Sequence, residues 1–262
     1  MIEMTAAPTH PPWRNAGIVP RTRGIDPALI QPLPGQLYHL SGPGRSGKSM
    51  RGVAEHWVAQ ALAEGRVVHW VDGACRIDPA RFIPLLEALG AGVEACLARL
   101  YLSRGFTLHQ LDRQLERLPD ELAITRSPMV VVDGLLTMHS DDAVSSLESR
   151  TLLRRHVAVL RRLAHQNQTA VVAITGVEHG RCDNAQHVRY VRRHAQNHLE
   201  GTWRGRRRQQ MLHLLHPRTG LRGPWLPFHQ DAQTVFLLPR QRLNPHEKGS
   251  AAEVLALHHP ER

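Results

Sequence analysis

GPGRSGKS, residues 42–49, meets the pattern G-x-x-x-x-G-K-[ST] at every fixed position. Leu37 to Leu40 before it reads as a strand, and Lys48 to Ala63 after it as a helix. In that setting a glycine-rich turn can close backbone N–H groups on phosphate oxygens, aided by the positive end of the helix. Lys48 is then placed to reach the β- and γ-phosphates of a nucleoside triphosphate, and the Ser49 hydroxyl to ligate Mg²⁺. The candidate nucleotide contacts are Gly42, Pro43, Gly44, Arg45, Ser46, Gly47, Lys48, Ser49 and Met50. Lys48 and Lys248 are the only lysines among 33 basic side chains, so an ammonium here stands out against an arginine background.

Composition sets the wider frame. A chain of 262 residues with 42% hydrophobic content can bury one large core. It has no run of about 18 apolar residues, and MIEMTAAPTHPPWRN lacks the basic-then-apolar order of a secretory signal, so an intracellular protein without a membrane partner is expected. The expected place is the cytoplasm beside the nucleoid, or the nucleus in a eukaryote. Cys75, Cys96 and Cys182 are odd in number and scattered, which argues for reduced thiols. A formal charge of +10 favours a polyanionic partner, with nucleic acid ahead of a membrane surface.

Residues 1–23, with Pro8, Pro11, Pro12 and Pro20, read as an extended arm, residues 24–239 as one α/β core and residues 240–262 as a tail. Within the core, strands are expected at Arg66 to Asp72, Ala98 to Leu102, Met129 to Asp133 and Thr169 to Val177, with further strands at Gln210 to Leu215 and Thr234 to Leu238. Helices are expected from Pro79, around Leu108, Leu111, Leu115 and Leu118, and over Ser146 to Gln166, where Leu153, Val157, Leu160 and Leu163 share a face. The alternation predicts a mostly parallel central sheet with helices on both faces.

A phosphate loop needs a second group for magnesium, and MVVVD offers one: Asp133 at the tip of a buried strand, the Walker B role. Lys48 and Asp133 are therefore the candidate catalytic pair. Residues 178–208 read as a long basic loop, in which Arg181, Arg189, Arg192, Arg193, Arg204, Arg206, Arg207 and Arg208 are interleaved with His187, Tyr190 and Trp203. Arginines neutralise phosphates and aromatics stack on unpaired bases, the combination that binds single-stranded DNA. The competing reading of this run is a solvated surface. His179, Cys182, His194 and His198 have a spacing close to that of a zinc site.

Taken in order, these features resemble the RecA superfamily of P-loop ATPases, most closely the RadA-type recombinases and their paralogues. VVHWVDGACRIDPARF, LYLSRGFTLHQ with Arg104, His109 and Gln110, VVVDGLLTMH, LESRTLLRRHVAVLRRLA and AVVAITGV carry the likeness beside the phosphate loop. The resemblance implies a RecA-like fold, ATP and Mg²⁺ as ligands, a DNA-binding loop after Val177, recombinase or paralogue subunits as partners, and a role in homologous recombination and repair. Two positions depart from the family. Ala74 stands where these recombinases carry the glutamate that activates water, and Thr175 with Gly176 where they carry an Asn-Gln pair. ATP binding with weak or absent DNA-dependent hydrolysis is thus the expectation. Asp72 and Asp78 are the nearest carboxylates that could substitute. The alternatives are a regulatory ATPase of the KaiC-like or helicase-loader kind acting on proteins, and a non-hydrolysing subunit of a recombination complex.

Overall fold

The computed structural model describes residues 30–141, 143–176, 182–205, 211–217, 221–225 and 241–242. In chain order it begins with β1 (Ile30–Gln31), β2 (Leu37–Gly42), α1 (Arg45–Ser49), α2 (Arg51–Ala63) and β3 (Val68–Asp72). A short 3-10 turn at Pro79–Phe82 leads to α3 (Ile83–Ala88), α4 (Val93–Leu97), β4 (Leu100–Arg104), α5 (Leu108–Thr125) and β5 (Met129–Asp133). After a second 3-10 turn at Met138–Ser140 come α6 (Ser146–Asn167), β6 (Ala170–Gly176), α7 (Cys182–His194), β7 (Asn197–Arg204), β8 (Met211–His216), β9 (Leu221–Pro224) and β10 (Gln241–Arg242).

Eight strands form one sheet in the order β4-β3-β5-β6-β2-β7-β8-β9, parallel from β4 to β7 and antiparallel through β8 and β9. Alternation along the strands builds the core on both sides of it. Tyr38, Leu40, Trp70 and Val131 face α2, α3 and α4, while Leu37, Val71, Val130 and Val132 face α5, α6 and α7. The helices begin where their caps require. Thr107 accepts from Gln110 N at 3.2 Å to start α5, and Ser145 accepts from Glu148 N at 3.2 Å to start α6. Each then buries its leucine stripe, Leu108, Leu111, Leu115, Leu118 and Leu122 on α5 and Leu153, Val157, Leu160 and Leu163 on α6. No helix among the described residues is long and apolar enough to cross a membrane.

Five expectations need correction or fall elsewhere. The helix after the glycine turn begins at Arg45 rather than Lys48, because Ser46 N bonds back to Pro43 O at 3.0 Å and closes the turn early. Residues 182–204, expected as loop, hold α7 and β7 instead, the latter pairing in parallel with β2. Gln241–Arg242, expected in a free tail, pair with Ile30–Gln31. The predicted arm at 1–23 and the strand at 234–238 lie outside the described residues.

The winding fixes where a ligand can sit. From β2 the chain moves towards β3, whereas from β6 it moves the other way to β7, so the direction reverses between these neighbouring strands. The crevice beyond their carboxyl ends is the place where open α/β sheets bind ligands.

Candidate nucleotide site

That crevice is lined by Gly47, Lys48, Arg51, Ala74, Arg76, Asp133, Gly134, Leu136, Thr137, Ser140 and Ile174. Lys48 and Asp133, far apart in sequence, are therefore brought to one cleft. Sheet register explains how: Leu40 pairs with Ile174 and Ile174 with Asp133, so one strand stands between the strand feeding the turn and the strand carrying the acid, a separation of about 10 Å.

Asp133 is 4% exposed and its Oδ2 lies 2.7 Å from Arg51 Nε, an ion pair whose N–H is not aligned on the oxygen. Burial pushes the Asp133 carboxyl up to about 6; Arg51 opposes that rise, and the nearby carboxylates of Asp72 and Glu55 add to it. Arg51 also donates through Nη1 to Arg76 O at 2.9 Å. Neither arginine was singled out by the motif. The helix accounts only for where Arg51 stands, two places beyond Ser49 at the start of α2; its pairing with Asp133 is a contact across the sheet.

The end of β3 is committed to structure. Asp72, fully buried, accepts from Ala74 N and Arg76 N at 3.1 Å each, from Ile77 N at 2.9 Å, and from Arg104 Nε at 3.2 Å. These bonds wrap residues 73–77 around one carboxylate, including Cys75 at φ +52°. Asp78 accepts from Ala80 N at 3.0 Å and caps the 3-10 turn. Both carboxylates considered as substitutes for a general base are thus employed as anchors, and Ala74 lines the cleft without one. Thr175 is likewise engaged, in a 2.7 Å hydrogen bond with His39 Nε2 that ties β6 to β2.

On the far wall, Thr137 and Ser140 belong to a segment held from behind. Asp112 Oδ1 meets His156 Nε2 at 3.1 Å, His156 Nδ1 meets His139 Nε2 at 3.3 Å, and His139 Nδ1 meets Ser149 Oγ at 3.1 Å. Burial, with His156 and His187 adding to it, pushes His139 down to about 3, so this chain of rings passes hydrogen bonds rather than charge at neutral pH.

The turn itself is pressed against β7. A Cβ at Gly42 would run into Gly201 O, so the turn comes this close to β7 only because residue 42 is glycine, while a Cβ at Gly201 would press on Met50 Sδ. Past this contact, Trp203 N donates to Ser46 Oγ at 3.1 Å and Trp203 Nε1 to Ser49 Oγ at 3.2 Å. Trp203, expected to stack on bases, instead covers the turn.

The basic set is split. Arg181, Arg206, Arg207 and Arg208 lie outside the described residues. Arg189, Arg192 and Arg193 are exposed on α7, and Arg204 is exposed at the end of β7. Because α7 returns the chain to the start of β7, Arg193 lies near one end of that strand and Arg204 at the other, roughly 23 Å apart along it. His187 is buried against His139 and Tyr190 packs on His194, with ring centroids at 5.9 Å and 4.1 Å, so neither is presented to bases. The helix also puts Cys182 and His194 about 18 Å apart, which rules out one zinc site for the four predicted ligands; His179 lies outside the described residues. Among the described residues no group of three or more His, Cys, Asp or Glu is placed to hold a metal. Mg²⁺ does not need such a group, since it commonly keeps its waters and takes one carboxylate beside substrate phosphates. The buried Asp133 Oδ2 without an aligned hydrogen bond fits that requirement.

Neither the family models nor the curated proteins with which the chain was compared match it. The fold and cleft define the class: an α/β protein with a mostly parallel mixed sheet and a cleft at its carboxyl ends.

Proposed function

We propose that this is a RecA-like P-loop protein that binds ATP with Mg²⁺, contacts single-stranded DNA, and assists recombination and repair with weak or absent hydrolysis. The observation that carries the reading is the meeting of Lys48 and Asp133 in one cleft at the reversal of winding, with β6 between their strands. Lys48 would hold the terminal phosphates and Asp133 the metal, and Ser49, which is bonded to Trp203 and is not part of the cleft lining, would join the metal on leaving that bond. Bound Mg²⁺ would neutralise phosphate charge. With a metal as counter-charge to Asp133, Arg51 would be able to turn to a phosphate on giving up its bond to Arg76 O. Ala74 supplies no proton acceptor, and Asp72 and Asp78 are tied into turns, which supports slow turnover.

The pH dependence follows from Asp133. Metal binding requires the ionised carboxylate, whose value is about 6, so affinity is retained above that pH and lost as pH falls through it. Mg²⁺-dependent ATP binding should weaken about tenfold between pH 7 and pH 5, in proportion to the ionised fraction. Calorimetric titrations across that range would show a flat profile if Asp133 were not a ligand.

DNA contact is supported by the charge of +10 and by Arg204, which stands at the cleft end of β7. Filter binding to single-stranded and duplex DNA, with and without ATP and Mg²⁺ over a salt series, tests it. Affinity should fall with salt and rise with nucleotide, and Arg204→Ala should lower the log–log salt slope by about 0.7. Salt-insensitive binding, or none, would leave a protein-directed regulatory ATPase as the better reading.

A further inference from the structure

Trp203 joins the glycine turn to the β7–β8 hairpin through two separate bonds, from its backbone N–H to Ser46 Oγ and from its indole N–H to Ser49 Oγ. Ser49 is the hydroxyl that the nucleotide reading assigns to Mg²⁺. An indole N–H can only donate, so it presents the positive end of its dipole to that oxygen. A divalent cation on the same oxygen would oppose it. Trp203 is also 39% exposed, which leaves its ring somewhere to go.

We propose that Trp203 is the nucleotide-sensing contact of this protein: Mg²⁺ arriving with a triphosphate takes the Ser49 hydroxyl from the indole, and the displacement is carried into β7. The inference rests on the ATP·Mg²⁺ reading above and adds to it the residue that reports occupancy. Transmission has a physical route. The Trp203 backbone still holds Ser46, and Gly201 lies against Gly42 with no side chain between them, so the turn and the strand cannot move independently. Arg204, next along β7, pairs with Met211 of β8 and would be repositioned with the hairpin.

Tryptophan emission separates the sensor from the site. Trp57, Trp70 and Trp225 are buried at 2%, 0% and 8% exposure and Trp13 lies outside the described residues, so the difference between wild type and Trp203→Phe is used to isolate the one ring under test. The full chain is titrated with ATP plus Mg²⁺, with ATP plus a chelator, and with Mg²⁺ alone, while thermal stabilisation records binding independently. Emission of the wild type should change with ATP plus Mg²⁺ and not with chelator. Trp203→Phe should lose that change, keep its thermal stabilisation, and bind ATP·Mg²⁺ about three- to tenfold more tightly because a competing hydrogen bond is gone. Ser49→Ala, which removes the acceptor, should shift the nucleotide-free spectrum towards that of the bound wild type. Thermal stabilisation without a Trp203-dependent emission change overturns the sensor and leaves the nucleotide reading intact. An identical change in chelator, or no shift from Ser49→Ala, also overturns it. Absence of any nucleotide stabilisation in the wild type removes both.

Discussion

Lys48→Ala should cut the stabilisation given by ATP and Mg²⁺ to about half or less, measured for each protein against its own nucleotide-free state. At a ligand concentration of 100 times Kd the wild type should gain about 2.7 kcal/mol from binding, enough to read as a clear shift in Tm. Loss of a charged partner to the phosphates should weaken affinity by about 10- to 100-fold, which lowers that gain to between about 1.4 and about 0.4 kcal/mol. The physical ground is that Lys48 is the ammonium lining the cleft, beside Asp133 and at the reversal of winding. Equal stabilisation of wild type and variant by ATP would mean that the triphosphate, if bound at all, is held elsewhere.

Ala74→Glu should convert a slow or silent site into an active one, raising ATP turnover by about 10²-fold. The substitution is local, because Ala74 already carries a Cβ at the cleft wall and its backbone is fixed by the 3.1 Å bond from Ala74 N to Asp72 Oδ1. Asp72 cannot perform the same task without releasing the three backbone N–H groups of residues 74, 76 and 77 that it holds. Phosphate release by Ala74→Glu, and its loss again in Lys48→Ala/Ala74→Glu, would identify the missing proton acceptor as the limit. Intact ATP binding with unchanged turnover would place the limit elsewhere, in the metal or in the placement of water.

The sequence was most informative where burial uses apolar side chains at a regular period. The stripes of α5 and α6 and the continuous apolar run of β5 are of this kind, and Asp133 at the tip of β5 followed from it. Residues 182–204 escaped because polar side chains share their buried positions with apolar ones and break the period. On α7 the side chains turned inward include His187 beside Val191, and on β7 they are Asn197 and His198 beside Leu199. Such a strand is stable in the middle of a sheet only if its polar groups find partners. Asn197 Nδ2 donates to Gln36 Oε1, and His198 Nε2 meets Ser41 Oγ at 2.7 Å, but those partners lie about 160 residues away and no local pattern announces them. Arg51 was missed for a different reason. Its role depends on Asp133 coming within reach across the sheet, a long-range fact that the spacing of the glycine turn does not contain.

The contact between Gly42 and Gly201 bears on how this protein can be recombined in the laboratory. A chimaera that exchanges residues 42–50 or the strand through residue 201 has to keep glycine at 42, where a Cβ would meet Gly201 O, and has to match residue 50 to residue 201, where a Cβ would meet Met50 Sδ. Exchangeable parts are therefore cut so that residues 50 and 201 travel together, which makes segments distant in the gene a single unit of inheritance.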